Sequence, residues 1–146
     1  MNHDSRILAA CCLLIIAALL VVGAVSHGVI RHIVQTCPFW IAIAFAARRS
    51  GWSKWTALPC FVLWLLLMTN IWMFLLGLPH FLSGTFSPTE IAMTVIVGLA
   101  SLVGIIRALG MKTEVHPLPA AGTFLLVAAL QVLAVRISLL PQIAHR

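Results

Sequence analysis

The chain has 146 residues, of which 62% are hydrophobic and only 8% are charged. Soluble domains carry charges at roughly a quarter of their positions, so this composition excludes a soluble protein and fits a bilayer. The formal net charge is +6, but the basic residues stand singly or in pairs at the ends of apolar runs, which predicts membrane topology and no nucleic-acid partner.

The first half of the chain predicts two membrane spans. Residues 7–25 form an uncharged run that is long enough to cross a hydrocarbon core of about 30 Å. Its last residues are small, as at a signal-peptidase site, but the run is longer than the apolar core of a typical signal peptide, so we predict a first span. Residues 28–47 predict a second, more polar span. A basic loop with Trp52 and Trp55 follows, as is typical of a membrane interface.

The second half predicts three further spans. Residues 58–78 form the third, in which Pro59 fits the first turn of a helix. A Ser-Pro-Thr-Glu sequence at 87–90 matches a capping box with proline at the first helical position, so a fourth helix is expected over 88–109. The fifth is expected over 117–140, between two prolines. The fold is therefore predicted to be all-α, a polytopic bundle of about five transmembrane helices.

The positive charges in the short connections predict the orientation of this bundle, because Lys and Arg there resist translocation. More of them fall on the face that holds the amino terminus. That face receives Arg6, Arg48, Arg49, Lys54, Arg107 and Lys112, and the other receives Arg31, Arg136 and Arg146. We expect the amino terminus inside and the carboxyl terminus outside, with residues 1–146 forming one integral membrane domain of a bacterial cell (inner) membrane.

Polar residues of the second span share one helix face. His27, Arg31 and Gln35 follow one another at four-residue steps, and His32 lies beside them. A rise of about 1.5 Å per residue places this stripe in the half of the bilayer opposite the basic loops. Ionisable groups within a span are costly, so they are expected to face other helices rather than lipid.

The other spans contribute polar residues to the same half of the bilayer. Gln35 and Asn70 fall at equal depth and are expected within hydrogen-bonding reach, while Gln131 adds a third amide. Amides in hydrocarbon usually link helices, Glu90 is explained by the capping box, and Arg31 is long enough to reach the headgroups. These five residues form a predicted polar cluster that is either structural or ligand-binding.

Three histidines, His27, His32 and His80, lie near this cluster and admit three interpretations. They are separate interfacial residues, or His80 faces His27 or His32 as an axial pair for haem b. Alternatively, the three hold a divalent metal together with Glu90, although the five-residue step between His27 and His32 is poorer than the four-residue step of helical ligand pairs. The sequence leaves haem, metal and no cofactor open.

Small residues recur in the fourth span at Ala100, Gly104 and Ala108. This pattern favours close helix approach, either inside the bundle or against a partner protein. The tryptophans within the spans, among them Trp64, are interpreted as packing residues.

Three hypotheses for function follow. The sequence contains no nucleophile–base pair, paired carboxylates or phosphate-binding glycine loop, which disfavours a hydrolase, a kinase or an ATPase. The first hypothesis is an accessory, assembly or structural subunit of a membrane complex, bound to other membrane proteins or to copies of itself. The second is a haem- or quinone-linked redox subunit, and the third is a small oligomeric transporter or channel.

Overall fold

The computed structural model describes residues 3–48, 50–81 and 84–144. Within them, five helices are long and apolar enough to cross a membrane, which confirms the predicted all-helical bundle of five spans. The long helices are α1 (His3–Val25), α2 (Val29–Ala47), α3 (Ser53–Leu75), α4 (Pro88–Gly110) and α5 (Pro117–Ser138), and a short α6 (Pro141–Ala144) follows.

The main contacts between the helices form a ring in the order α1, α2, α5, α3, α4, with α2 also touching α3 across it. At the centre of the ring Phe39 and Phe61 are fully buried, with ring centroids 6.3 Å apart. Trp64 packs against Phe39, with 6.5 Å between the two ring centroids. Tilted aromatic pairs at such distances stabilise each other, so this aromatic cluster anchors the middle of the bundle.

The outside of the bundle is rich in large apolar side chains. Leu66, Leu109 and Leu125 expose 65%, 62% and 66% of their surface, and many other large apolar side chains are similarly exposed. Soluble proteins rarely expose contiguous apolar patches of more than a few hundred Å². The outer surface therefore suits contact with lipid chains.

The third helix differs from its predicted bounds at both ends. It begins at Ser53 rather than near residue 58, so Pro59 lies inside the helix and not in its first turn. A proline within a membrane helix is tolerated when neighbouring groups satisfy the freed carbonyl, which the sequence pattern does not reveal. At the other end, Gly77 at φ +70° stops the helix, and the amide of Leu78 donates to the carbonyl of Met73 at 2.8 Å. This bond is typical of a Schellman motif.

The predicted start of α4 is confirmed. The Ser87 amide donates to Glu90 Oε2 at 2.7 Å, and the Glu90 amide donates to Ser87 Oγ at 3.3 Å. This reciprocal capping box satisfies two backbone donors that a helix start otherwise leaves without partners. It also fixes Glu90 in the first turn of α4, facing the interior of the bundle.

The small-residue face of α4 is used within the bundle. Ala100, Gly104 and Ala108 are all buried. A Cβ built on Gly104 would lie only 2.5 Å from the ring of Phe61 in α3. The close approach predicted for this face is therefore an approach of α3 to α4, and this stripe is covered in a single copy of the chain.

The connections between helices separate into two ends. Lys54 Nζ donates to the carbonyl of Met111 at 3.0 Å, and Arg107 lies 4.0 Å from Asp4. The amino terminus, the α2–α3 connection and the α4–α5 connection thus meet at what we call the basic end. The α1–α2 turn, the α3–α4 connection and the end of α5 lie at the opposite end, as five consecutive spans require.

The basic end is expected to face the cytoplasm. A reporter inserted in the α4–α5 connection should therefore give a cytoplasmic signal, and one fused to the carboxyl terminus an external signal, because positive charges in short loops resist translocation. Enzymatic reporters that are active on only one side of the membrane measure this directly. The two fusions are one span apart and control for each other, and a cytoplasmic carboxyl terminus would contradict the orientation.

Candidate functional site

A cavity of about 370 Å³ lies within the ring of helices, in the half of the bundle opposite the basic end. All five long helices contribute to its wall, together with residues 84–86 of the α3–α4 connection. We call it the central cavity. Its polar lining residues are Ser26, Arg31, His32, Gln35, Trp64, Thr85, Glu90 and Thr94.

The cavity follows from the spacing of residues on facing helices. On α3 the cavity is lined by Trp64 and by the residues three, four and seven positions after it. On α4 it is lined by Glu90 and by the residues at the same three steps after Glu90. These are the steps of a single helix face. Phe39 and Phe61 lie one helical turn nearer the basic end and fill the centre of the ring there. The aromatic cluster thus forms the floor of the cavity.

His32 is a buried member of the lining. Its Nδ1 lies 2.9 Å from the carbonyl oxygen of Gly28, and a carbonyl can only accept, so Nδ1 carries the proton. In the neutral ring, Nε2 is then left as an acceptor. The ring packs closely against Gly23 of α1, because a Cβ built on this glycine would lie only 3.1 Å from Nδ1 of His32.

Two donors of the lining have no partner among the described residues. They are Nε of Arg31 and Nε1 of Trp64, and both atoms are buried. Trp64 exposes only 4% of its surface. A buried donor without a partner costs on the order of 1–3 kcal/mol. Both atoms have almost no accessible surface, so they lie behind the surface of the cavity and not on it.

The carboxylate of Glu90 adds a negative charge to the lining. One of its oxygens accepts the Ser87 amide, but a carboxylate has acceptor capacity for further bonds. Among the described residues the one ion pair is between Asp4 and Arg107. Arg31 and Glu90 therefore line the same cavity without forming a salt bridge with each other.

The amides of the predicted polar cluster connect helices. Gln35 Nε2 donates to Ser138 Oγ at 2.9 Å, and Gln131 Nε2 donates to the Gln35 carbonyl at 3.1 Å. Both bonds join α2 to α5. The side chain of Asn70, which was expected near Gln35, accepts the Phe81 amide of the α3–α4 connection at 3.2 Å. Of the three amides, only Gln35 lines the central cavity.

The three histidines lie in different surroundings. His27 is exposed in the α1–α2 turn at φ +56°, and His80 is exposed with its ring 4.9 Å from that of Phe74. Only His32 lines the central cavity. In the described ranges no three His, Cys, Asp or Glu side chains are grouped as metal ligands. The structure thus brings His32 together with Arg31 and Glu90, and not with the other two histidines.

A second cleft, of about 580 Å³, lies at the basic end. It is formed mostly by the connections around Gly51 and residues 111–116. Lys112, Glu114 and His116 in its lining are exposed, so water satisfies their polar groups. The central cavity differs because two of its lining residues, Arg31 and Trp64, each carry a buried N–H without a partner among the described residues.

The fold and the central cavity define a small helical membrane protein with a polar cavity inside its ring of spans. Comparisons with protein-family models, with curated proteins and with solved structures find no match to this chain. The residues of the cavity therefore carry the functional argument.

Proposed function

We propose that this protein binds a lipid-soluble small molecule in the central cavity. The observation that carries the proposal is the central cavity itself, whose largely apolar wall brings Arg31, His32 and Glu90 together inside the ring of helices. Polar and charged groups are costly in a membrane interior, where no bulk water reaches them. A bound molecule with polar atoms offsets part of that cost.

The size and lining of the cavity agree with this proposal. Ligand pockets typically have volumes of about 300–1,000 Å³ and apolar walls with a few convergent polar groups. The central cavity has about 370 Å³, and Leu67, Met68 and Met93 are among its apolar walls. Because it lies within the spans, a ligand dissolved in the bilayer is the natural occupant.

The close-packing face of α4 does not add support to the accessory-subunit hypothesis. The small residues of α4 are covered by α3, so they offer no free docking face in a single copy. A continuous transport route is not favoured either, since Phe39, Phe61 and Trp64 fill the centre of the ring between the cavity and the basic end. Ligand binding is closest to the quinone-linked alternative.

Solvent extraction of the purified protein tests the proposal. Mass spectrometry of the extract should find one lipophilic compound in near-stoichiometric amount with the wild type, and at least about tenfold less with Val97→Phe. Val97 is buried and lines the cavity, so the larger ring fills the space of the ligand. An absorption spectrum of the same sample tests the haem alternative.

Leu99→Phe is the matched control, because Leu99 is two residues further along α4 and 59% exposed. It should retain the compound at the level of the wild type. Extracts that are the same for the wild type and for Val97→Phe would show that the cavity holds no ligand.

A further inference from the structure

We infer that the ligand of the central cavity is a single-chain amphiphile with a zwitterionic headgroup, whose anionic group binds Arg31 and whose ammonium group binds Glu90. This inference rests on the proposed function, because it names the chemical class of the molecule in the central cavity. Three features of the cavity support it, namely two charges without partners, the depth of those charges and the apolar wall below them.

The charged atoms of Arg31 and Glu90 are accessible to a ligand. Both residues are only partly buried. Nη1 and Nη2 of Arg31 form no hydrogen bond among the described residues, and unlike Nε they are not buried. The same holds for Oε1 of Glu90, whereas its Oε2 accepts the Ser87 amide. Each residue therefore presents charged atoms that are free to bind another molecule.

One small headgroup can reach both residues. They line the same cavity, whose volume of about 370 Å³ is near the lower end of the range for ligand pockets, about 300–1,000 Å³. The ring of His32, which follows Arg31 in α2, also lies within electrostatic reach of both charges. The two residues are nevertheless too far apart to pair directly, because the one ion pair among the described residues is between Asp4 and Arg107. A molecule with one charge of each sign can bridge this gap.

A zwitterion suits this lining better than a molecule with one charge or none. An anion would be attracted by Arg31 and repelled by Glu90, and a cation the reverse, in a medium where such interactions are strong. An uncharged molecule would leave both charges without a partner, which is costly next to a hydrocarbon core. A zwitterion pairs both residues at once, through charged hydrogen bonds that are stronger than neutral ones.

Arg31 and Glu90 lie at the depth of lipid headgroups. Each is the third residue of its helix, and α2 and α4 both begin at the end opposite the basic end. At about 1.5 Å per residue, the two residues are about 3 Å inside the ends of their helices. Ser26 and Thr85, in the connections that precede these two helices, add hydroxyl groups to the lining. The charged part of the cavity is therefore the part nearest the membrane surface.

The deeper wall of the cavity is mostly apolar. Trp64 lies eleven residues before the end of α3 at Leu75, which corresponds to about 16 Å along the helix. Between that depth and the two charges, most of the lining side chains are aliphatic or methionine, among them Met68, Met93 and Val97. Charged groups are costly at such depth, whereas an alkyl chain is not. The cavity thus changes from charged to apolar in the same direction as an amphiphile does.

Native mass spectrometry of the protein in maltoside micelles tests the inference with three probes that carry chains of equal length. Lysophosphatidylethanolamine has a phosphate and an ammonium group, lysophosphatidylglycerol has the phosphate alone, and an alkylamine has the ammonium alone. The wild type should bind lysophosphatidylethanolamine at least about tenfold more tightly than either of the others, as one additional charged hydrogen bond predicts. O-phosphoethanolamine, the headgroup without a chain, should bind at least about tenfold more weakly, which separates a lipid from a free phosphate compound.

Two variants should remove the two interactions separately. Arg31→Gln should lower the affinity for lysophosphatidylethanolamine about tenfold without weakening the alkylamine, which has no group that binds Arg31. Glu90→Gln should lower it about tenfold without weakening lysophosphatidylglycerol. The amide oxygen of glutamine can still accept the Ser87 amide, so this variant keeps the helix cap. A purely structural effect would instead weaken all the probes together.

Arg136→Gln and Glu114→Gln are matched controls for the loss of one charge. Arg136 is an exposed residue of α5, Glu114 is an exposed residue of the α4–α5 connection, and neither lines the central cavity. Both variants should bind lysophosphatidylethanolamine as the wild type does. A loss of affinity in these controls equal to that in Arg31→Gln and Glu90→Gln would contradict a site at the central cavity.

Two further results would overturn the inference but not the proposed function. Equal affinities of the wild type for the three chain-bearing probes would mean that the cavity does not recognise the charges. Displacement of lysophosphatidylethanolamine by an equal concentration of decylubiquinone would assign the cavity to a neutral ring. The proposed function stands in both cases if the solvent extract contains a bound compound.

Two other results would refute the inference and the proposed function together. Binding of O-phosphoethanolamine as tight as that of the lysolipid would mean that the ligand is a soluble compound. An empty solvent extract, with no binding of any probe, would mean that the cavity holds no ligand.

Discussion

Replacing Gly104 with leucine is expected to destabilise the protein by about 3 kcal/mol or more, as overpacking a buried contact does. Even a Cβ at this position would lie 2.5 Å from Cε2 and 2.7 Å from Cδ2 of Phe61. Phe61 of α3 is fully buried against Phe39 of α2 and Gly104 of α4, so its ring cannot turn outward to solvent or lipid. The free energy of unfolding in mixed micelles measures the effect.

Gly122→Leu is the control for a leucine at a glycine of a membrane helix. Apart from its chain neighbours and the backbone of its own helix turns, no atom of the described residues lies within 4 Å of a Cβ built on Gly122, so this change should alter stability by no more than about 0.5 kcal/mol. Phe61→Ala combined with Gly104→Leu should be less destabilising than the sum of the two single changes, because they share one contact. Equal effects of leucine at Gly104 and Gly122 would contradict the packing described for α3 and α4.

The parts of the fold that depend on local sequence were predictable. The capping box at residues 87–90 places the start of α4 at Pro88, because it needs only residues close in sequence. The start of α3 was not predictable from the sequence. A proline such as Pro59 is typical of a first turn in soluble helices, but it is also tolerated further inside a membrane helix. The end of α3 was not predictable either, because the positive φ of Gly77 that stops the helix depends on the loop that follows it.

The candidate site was only partly predictable. Helical periodicity placed Arg31, His32 and Gln35 near one another, and all three line the central cavity. The same periodicity included His27, but the chain turns at that residue, which therefore lies outside α2. Trp64 was interpreted as a packing residue because a sequence does not reveal which buried N–H lacks a partner. That property depends on how the helices pack, so it appears only in three dimensions.

Two hydrogen bonds link α2 to α5 beside the central cavity. Gln131 Nε2 of α5 donates to the Gln35 carbonyl of α2 at 3.1 Å. Gln35 in turn donates to Ser138. Because Gln35 lines the cavity and Val135 of α5 lines it too, this link sets the distance between two of its walls.

Gln131→Ala is therefore expected to cost about 3 kcal/mol of stability, the amount typical of removing a large buried side chain. Gln131 is fully buried, and the change also removes its bond to Gln35. Gln131→Met should cost less than about 1.5 kcal/mol, because it keeps the volume and removes Oε1, which has no partner among the described residues. Unfolding in mixed micelles compares the two variants directly.

Leu133→Ala is the control for truncating a side chain of α5, since Leu133 is 53% exposed on the lipid-facing side and packs less tightly. Its effect should be well below that of Gln131→Ala. If Gln131→Met is as destabilising as Gln131→Ala, the hydrogen bond to Gln35 dominates over packing, and the volume argument is wrong. In either case Gln131→Ala should also weaken binding in the central cavity, because α5 is then no longer fixed against the wall that carries Arg31 and His32.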